Sequence, residues 1–380
     1  MKKILFIVCC LLMSPLTLAQ DEAQTPYEIA LARILEAERT GATELYLYGL
    51  QLTEVPSEIG NLNSLQTLRL SNNQLSNLPV EIGNLTALES LNLSTNLFTS
   101  IPPEIASLHN LQQLNLSGNQ LTSLPSEIGN LKNLEGLQLD DNQFSTLPPV
   151  ITDLSNLQDL SINRNQLTNL PPEISNLTQL RYLILMGNQF SEFPLEINKL
   201  SKLKGLSLGW NQFSSLPPEI ASLHNLQQLN LSGNQLSTLP PEIGKLTSLE
   251  ELYITENQLT SLPSEIGELD KLCRLDLWRN RLRHLPTEIG QLKRLAVKEQ
   301  GCVLRISDNP LISPPSEVIA QRTPAVLEYL RDQADEQAYQ LRMTIVSIAT
   351  GFGLFALLIL GICWRMRRTQ RKSKRKNDAI

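Results

Sequence analysis

The sequence predicts an α/β repeat solenoid: a curved, right-handed stack of coils with a parallel β-sheet on its concave face and short helical or irregular segments on its convex face. One C-terminal transmembrane helix is expected to follow. Two observations predict the solenoid, an asparagine that recurs ten times at intervals of 23 residues and a leucine pattern around it. A third, the uncharged residues 343–364, predicts the span, since 22 residues rising about 1.5 Å each cross roughly 30 Å.

Residues 1–19 have the composition of a secretory signal peptide. A Met-Lys-Lys start precedes an apolar run from Ile4 to Met13, and the small residue Ala19 precedes a polar segment. The apolar run is too short to cross a bilayer, so we expect cleavage after Ala19. The alternative is an uncleaved N-terminal anchor.

Residues 20–44 are predicted to form an N-terminal cap. Apolar residues recur at helical spacing between Tyr27 and Thr40, which predicts an amphipathic helix that covers the first coil.

Residues 45–312 are predicted to form about twelve coils. The stretch from Leu111 to Asn119 shows the pattern L-x-x-L-x-L-x-x-N. Because strand side chains alternate, the L-x-L leucines share one face, which stacked copies bury as a continuous spine. The asparagine amide is expected to bond backbone groups of neighbouring coils as a ladder. Its members are Asn73, Asn96, Asn119, Asn142, Asn165, Asn188, Asn211, Asn234, Asn257, Asn280 and Asn309.

Each coil continues with L-P-x-E-I or a close variant, as in Pro102-Pro103-Glu104-Ile105. The proline fixes φ and begins the return segment. The glutamate suits the positive end of a short helical piece, so we interpret these glutamates as solvated charges and not as catalytic groups.

The period breaks near the C-terminus, where Asn309 follows Asn280 by 29 residues, an insertion of six. Residues 313–331 are predicted to form a capping helix and residues 332–342 a stalk. The span 343–364 is followed by a basic tail, 365–380, with 8 Lys/Arg and one acid. Positive flanks stay in the cytoplasm, which predicts a single-pass cell-membrane protein with its N-terminus outside and its C-terminus in the cytoplasm.

Charge is unevenly distributed along the chain. Without residues 1–19 and the tail, 22 Lys/Arg face 37 Asp/Glu, so the predicted external part carries about −15 although the whole chain carries −6. The tail could bind nucleic acid or anionic lipid. Its position directly after the span favours lipid, and we expect no nucleic-acid partner.

These motifs resemble the leucine-rich repeat family in its 23-residue form with L-P-x-E-I, as found in Ras-group and bacterial proteins. The flanks, residues 37–45 and 309–331, resemble the repeat region of bacterial Roco proteins. The resemblance implies a curved solenoid and protein recognition. It does not carry over the GTPase of Roco proteins, because the chain has no G-x-x-x-x-G-K-[ST] phosphate loop.

Catalytic, cofactor and metal sites are not predicted. His109, His224 and His284 lie in turn or convex segments, and the first two are copies in similar repeats. No serine or cysteine has a recognisable partner motif. We therefore interpret the protein as non-enzymatic.

The residues between the strand leucines face the concave surface and are the candidates for partner binding. Most are small or carry amides, but large residues interrupt this pattern on neighbouring coils. Exposed aromatic residues beside an arginine are typical of binding hot spots, although scattered apolar residues are common on any surface. The predicted site consists of Arg164, Tyr182, Ile184, Met186, Trp210, Tyr253 and Trp278.

Two further pairings are open at this point. Cys273 and Cys302 occupy equivalent positions of adjacent coils about 5 Å apart, which is compatible with a disulfide or with two buried thiols. Small residues in the span, such as Gly351 and Gly353, are compatible with a weak homodimer.

The sequence thus predicts a membrane-anchored module of a bacterial envelope that binds a protein or peptide outside the cytoplasm. The alternative is a structural scaffold that spans distance or self-associates. A regulator related to Roco GTPase systems, with the repeats in the cytoplasm, is the third hypothesis.

Overall fold

The computed structural model describes residues 24–296 and 301–345. These residues form two compact units, one ending at Phe144 and the other beginning at Ser145. Each unit is a stack of coils, and each coil is numbered here after its strand.

The first unit opens with helix α1, Pro26–Thr40, which caps the stack. Thr25 and Glu28 bond each other's backbone N–H groups in a capping box, and the left-handed Gly41 ends the helix. Ala30, Ile34 and Ala37 form its buried face. Five parallel strands follow in consecutive register: β1 Glu44–Tyr46, β2 Thr67–Arg69, β3 Ser90–Asn92, β4 Gln113–Asn115 and β5 Gly136–Gln138.

The second unit contributes seven strands to the described part of the chain, again parallel and in consecutive register. They are β6 Asp159–Ser161, β7 Tyr182–Ile184, β8 Gly205–Ser207, β9 Gln228–Asn230, β10 Glu251–Tyr253, β11 Arg274–Asp276 and β12 Val303–Arg305. The parallel-sheet solenoid predicted from the leucine pattern is confirmed. The insertion before β12 leaves the register intact, since Leu275 still pairs with Leu304.

The return segment of each coil contains a short 3₁₀ helix that begins directly after a proline, as Pro103–Ser107 does after Pro102. No side chain caps this helix. Its isoleucine, here Ile105, is fully buried and closes the coil opposite the strand leucines. Phe190 and Phe213 extend this core, stacked with their centroids 6.4 Å apart. Each buried Leu or Phe stabilises the stack by about 1.5–3 kcal/mol relative to an exposed one.

The C-terminal end is closed by two helices, α2 Ser316–Ile319 and α3, which covers residues 323–345. Val326, Leu327 and Leu330 of α3 are buried, and Arg331 Nε donates to Gly290 O at 2.6 Å. Almost all of residues 332–345 are exposed. Residues 323–331 of the predicted cap and the predicted stalk are therefore parts of one continuous helix.

No helix within residues 24–296 and 301–345 is long and apolar enough to cross a membrane. The predicted signal peptide 1–19, the tail 365–380 and all but the first three residues of the predicted span 343–364 lie outside the described residues.

Candidate functional site

A row of buried asparagines fixes the loops that follow the strands. Asn188 Nδ2 donates to Ile162 O of the preceding coil at 2.9 Å and to Leu185 O at 3.0 Å, while its Oδ1 accepts from Leu167 N at 3.0 Å. The amide thus satisfies backbone groups of adjacent coils that would otherwise be buried without a partner. The same donation to two coils is made by Asn73, Asn96, Asn119, Asn142, Asn211, Asn234, Asn257, Asn280 and Asn309. Asn165 donates to Asn163 O at 2.9 Å.

The residue directly before each asparagine has a left-handed backbone. Glycine fills this position at Gly187 and Gly233, whereas Arg164 and Trp210 adopt φ values of 48° and 55°. Such a φ costs a residue with a Cβ about 1 kcal/mol relative to glycine. Trp210 therefore stands where the backbone favours a glycine, between two coils that have one.

Two aromatic rings lie flat on the exposed face of the second unit, and glycines make room for both. Tyr182 is paired with Gly205 on the next strand, and a Cβ added to that glycine would meet Tyr182 Cδ1 at 2.5 Å. A Cβ added to Gly233 would meet Trp210 Cδ2 at 2.6 Å. Nevertheless Tyr182 is 39% and Trp210 53% exposed, so each ring is supported from below and open above.

We call Tyr182, Ile184, Met186 and Trp210 the aromatic patch. Strand alternation places Tyr182 and Ile184 of β7 on the exposed face, and Met186 continues this row; Ile184 and Met186 are half-buried. Arg164 is exposed and lies against Gly187, where its Cγ would be 3.2 Å from an added Cβ. The structure therefore places Arg164 of coil 6 against coil 7, which carries three residues of the patch.

The exposed face of coils 7 to 9 has no charged residue among its strand and loop positions. These positions are Tyr182, Ile184, Met186, Gly187, Gly205, Ser207, Gly209, Trp210, Gln228, Asn230, Ser232 and Gly233. Such an uncharged surface is suited to cover apolar groups and to hydrogen-bond a backbone through amides.

Tyr253 and Trp278 belong to a different group of residues, separated from the patch by coil 9. Tyr253 Oη donates to Glu251 Oε2 at 2.8 Å and accepts from Arg274 Nη1 at 2.9 Å. Burial raises the pKa of Tyr253, the bond from Arg274 lowers it, and the bond to Glu251 raises it.

The guanidinium of Arg279 lies 4.3 Å from the ring centroid of Trp278 and pairs with Glu256 at 3.3 Å. Arg305 pairs with the buried Asp276 at 3.4 Å. The sequence interpretation missed these partners, although their charges alternate along equivalent positions. We call the group the charged end: Glu251, Tyr253, Glu256, Arg274, Asp276, Trp278, Arg279 and Arg305.

Cys273 and Cys302 are joined by a disulfide with their Cα atoms 4.6 Å apart. The bond lies directly before strands β11 and β12, and Val303 N donates to Cys273 O at 2.9 Å beside it. It ties the last coil to the stack across the insertion.

A further exposed aromatic pair lies in the first unit, where Tyr46 and Tyr48 meet edge to face at 6.4 Å. The sequence interpretation did not select this pair. Arg69 covers the Tyr46 ring at 5.3 Å, and the Tyr46 hydroxyl donates to Glu44. Like the charged end, this pair is already engaged by an arginine and a glutamate.

Within the part of the chain that the structure describes, no three His, Cys, Asp or Glu side chains converge as metal ligands.

The protein belongs to the class of repeat scaffolds. Its coils share a leucine core and a row of asparagines, and they present ordered side chains on one exposed face. Residues 44–116, 103–180 and 171–260 match the family model of the leucine-rich repeat region. The chain belongs to the leucine-rich repeat family, whose members are generally non-catalytic binding scaffolds.

Solved structures give the same fold. A leucine-rich repeat protein of Leptospira interrogans is 39% identical, with a TM-score of 0.56, over 76% of this chain and 84% of that chain. A TDR receptor is 33% identical (TM-score 0.61) over 70% of this chain and 47% of its own. The plant peptide hormone receptor RGFR1, solved in complex with RGF2, is 30% identical (TM-score 0.59) over 72% and 46%.

This chain spans about half the length of the two receptors. Comparison with curated proteins gives no significant match.

Proposed function

We propose that this chain is a non-catalytic module that binds a protein or peptide on the exposed face of coils 7 to 9, held outside the cytoplasm by a single membrane span. The observation that carries the proposal is the pair Tyr182 and Trp210, each resting on a glycine and open to solvent. Rigid aromatic groups bury large areas at little cost in side-chain entropy, which is why they dominate binding hot spots.

The size of the Trp210 side chain supports the same proposal. Most residues directly before the asparagine row share its left-handed backbone, and only Gly118, Gly187 and Gly233 are glycine, so the large ring and not the backbone distinguishes this coil. A structural neighbour also supports peptide binding, since it is a peptide hormone receptor solved in complex with RGF2.

Membrane anchoring is the second part of the proposal and rests on the sequence. The signal-like residues 1–19, the uncharged residues 343–364 and the basic tail 365–380 support a single-pass protein with its repeats outside. The Met-Lys-Lys start of residues 1–19 supports a bacterial envelope as the compartment.

Site-specific photocrosslinking in the host tests the binding site. A benzophenone amino acid at Ser207, in the centre of the exposed face, is expected to give a discrete adduct with another protein or peptide. The same group at Asn115, which occupies the equivalent position of β4, is the control and should give none. Adducts only with a second copy of this chain would favour the scaffold alternative, and equal labelling from both positions would contradict the proposed site.

Protease accessibility tests the topology. Protease added outside sealed spheroplasts should digest the repeats and leave an epitope on the tail intact. Digestion of the tail epitope with protection of the repeats would contradict the proposed orientation and favour the cytoplasmic regulator.

A further inference from the structure

A basic cleft adjoins the aromatic patch. It encloses about 320 Å³ and lies at the edge of the sheet where strands β7 to β9 begin. Its lining residues are Arg181, Lys202, Lys204, Asn225, Gln227 and Ser248, three cations and three neutral polar residues.

The backbone fixes the position of this cleft relative to the patch. Lys204 N donates to Arg181 O, and Gln227 N donates to Lys204 O, each at 2.7 Å, so these residues continue the parallel ladder one position before the strands. Arg181 directly precedes Tyr182, and Lys204 directly precedes Gly205. The cations therefore border the exposed face on which the aromatic rings lie.

The positive charge of the cleft is not neutralised within the protein. Among the described residues neither Arg181, Lys202 nor Lys204 forms an ion pair, and Lys202 Nζ bonds only a neutral group, Gln179 Oε1, at 2.6 Å. Apart from Lys204, the equivalents of Arg181 on the other coils are threonine, glutamine, glutamate or cysteine. The predicted external part of the chain carries a net charge of about −15, so this cleft is a positive region in an otherwise acidic protein.

We infer that the ligand of the aromatic patch is an acidic peptide segment, with carboxylates in the basic cleft and an apolar side chain against Trp210. This inference rests on the proposed function. The cleft supplies three cations without acidic partners, which attract the carboxylates of a peptide. The strand and loop positions on the exposed face of coils 7 to 9 carry no charge, so they do not repel those carboxylates. Trp210 follows Lys204 by six positions in the sequence, so the two residues are at most about 20 Å apart. An extended peptide ligand covers that distance with about six residues.

Retention of the purified full-length chain on immobilised peptides tests this inference. The probes are peptides of about twelve residues that share one apolar residue and carry Glu, Gln or Lys about six positions before it. The Glu series should be retained on the order of tenfold better than the Gln series, and the difference should disappear at about 0.5 M salt.

The cleft variant Lys202→Glu/Lys204→Glu should lose this preference for acidic peptides. Its matched control is Lys271→Glu/Lys293→Glu, because Lys271 is the exposed equivalent of Lys202 three coils later and the charge change is the same. The control should keep the preference. Because both variants retain the basic tail, a loss in the cleft variant alone excludes the tail as the cause.

The outcomes separate this inference from the proposed function. Equal retention of the three series would overturn the acidic ligand and leave peptide binding in place, whereas retention of none would overturn peptide binding itself. Binding to phosphatidylglycerol vesicles that is lost in Lys202→Glu/Lys204→Glu, without preference among the peptides, would assign the cleft to a lipid surface instead.

Discussion

The aromatic patch and the charged end use the same kinds of residue in opposite ways. In the patch, Tyr182 and Trp210 rest on glycines, and no strand or loop position of coils 7 to 9 on their face carries a charge. In the charged end, Tyr253 is hydrogen-bonded to Glu251 and Arg274, and Trp278 is covered by Arg279, which pairs with Glu256. We therefore expect the aromatic patch, and not the charged end, to bind the partner.

Removal of the disulfide is expected to have the largest effect on stability, and this effect should be confined to the end of the stack that contains the charged end. Cys302→Ser should lower the free energy of detaching coil 12 and helix α3 by about 3–4 kcal/mol, because a disulfide that closes a loop of 29 residues restricts the unfolded chain by about that much. Hydrogen exchange should rise in β12 but not in β7. Partner retention should stay unchanged, since the patch lies several coils away. Mass spectrometry without reductant that finds both thiols free in the wild-type protein would contradict this prediction.

Substitution of Trp210 should separate binding from folding. Trp210→Gly and Trp210→Ala should both weaken partner retention by about 2 kcal/mol, roughly 30-fold, since both remove the central ring. Both lose the contact with Gly233, but glycine also relieves the left-handed backbone. The glycine variant should therefore be about 1 kcal/mol more stable to denaturant than the alanine variant.

Trp278→Ala is the matched control for the Trp210 substitutions because it removes the same ring from the charged end. It should leave partner retention unchanged. An equal loss of retention at Trp278 would show that both regions form one binding surface.

Gly205→Ala tests whether the floor beneath the patch matters. The new methyl group would sit 2.5 Å from Tyr182 Cδ1, so the ring must tilt away, and we expect a loss of about 1 kcal/mol in binding. Gly136→Ala is the control on coil 5, where the methyl group meets the flexible side chain of Gln113. Isothermal titration with the captured partner would compare the two variants. The same affinity loss in Gly136→Ala would contradict the local explanation.

The smallest expected effect is the alkaline response of the charged end. Burial raises the pKa of Tyr253, so the folded state favours the neutral phenol. Its contribution to stability is complete below the ordinary tyrosine pKa of about 10 and is lost as the pH rises through the raised value. In melts from pH 8 to 11, Tyr253→Phe should lose slightly less stability than the wild type. Tyr27 and Tyr46, whose pKa values are also raised, titrate in both proteins and cancel in the comparison. A steeper loss in the variant would refute the assignment.

The sequence was sufficient to predict the coils, because leucine and asparagine columns reflect contacts that every coil repeats. It also selected Tyr182 and Trp210, since large residues break an otherwise small and polar column. It could not separate them from Tyr253 and Trp278, because that separation depends on which side chains of the adjacent coils reach the rings.

One duplicated stretch shows why sequence alone is insufficient here. Residues 102–121 and 217–236 are identical. Yet Gly118 in the first copy lies against Thr95, and Gly233 in the second lies beneath Trp210. The basic cleft was missed for the same reason, since Arg181, Lys202 and Lys204 stand on two coils and become a cluster only when the coils are stacked.

The asparagine row also has a consequence for how such arrays change length during evolution. Asn188, for example, reaches back to a carbonyl 26 residues earlier and a backbone N–H 21 residues earlier, and both belong to the preceding coil. Recombination that inserts or deletes a whole 23-residue unit reconnects these bonds with equivalent partners. The six-residue insertion before Asn309 is also accommodated, because Asn309 still bonds Leu277 O and Leu282 N of the preceding coil. The length of such an array can therefore be inherited in discrete increments without the fold having to be reinvented.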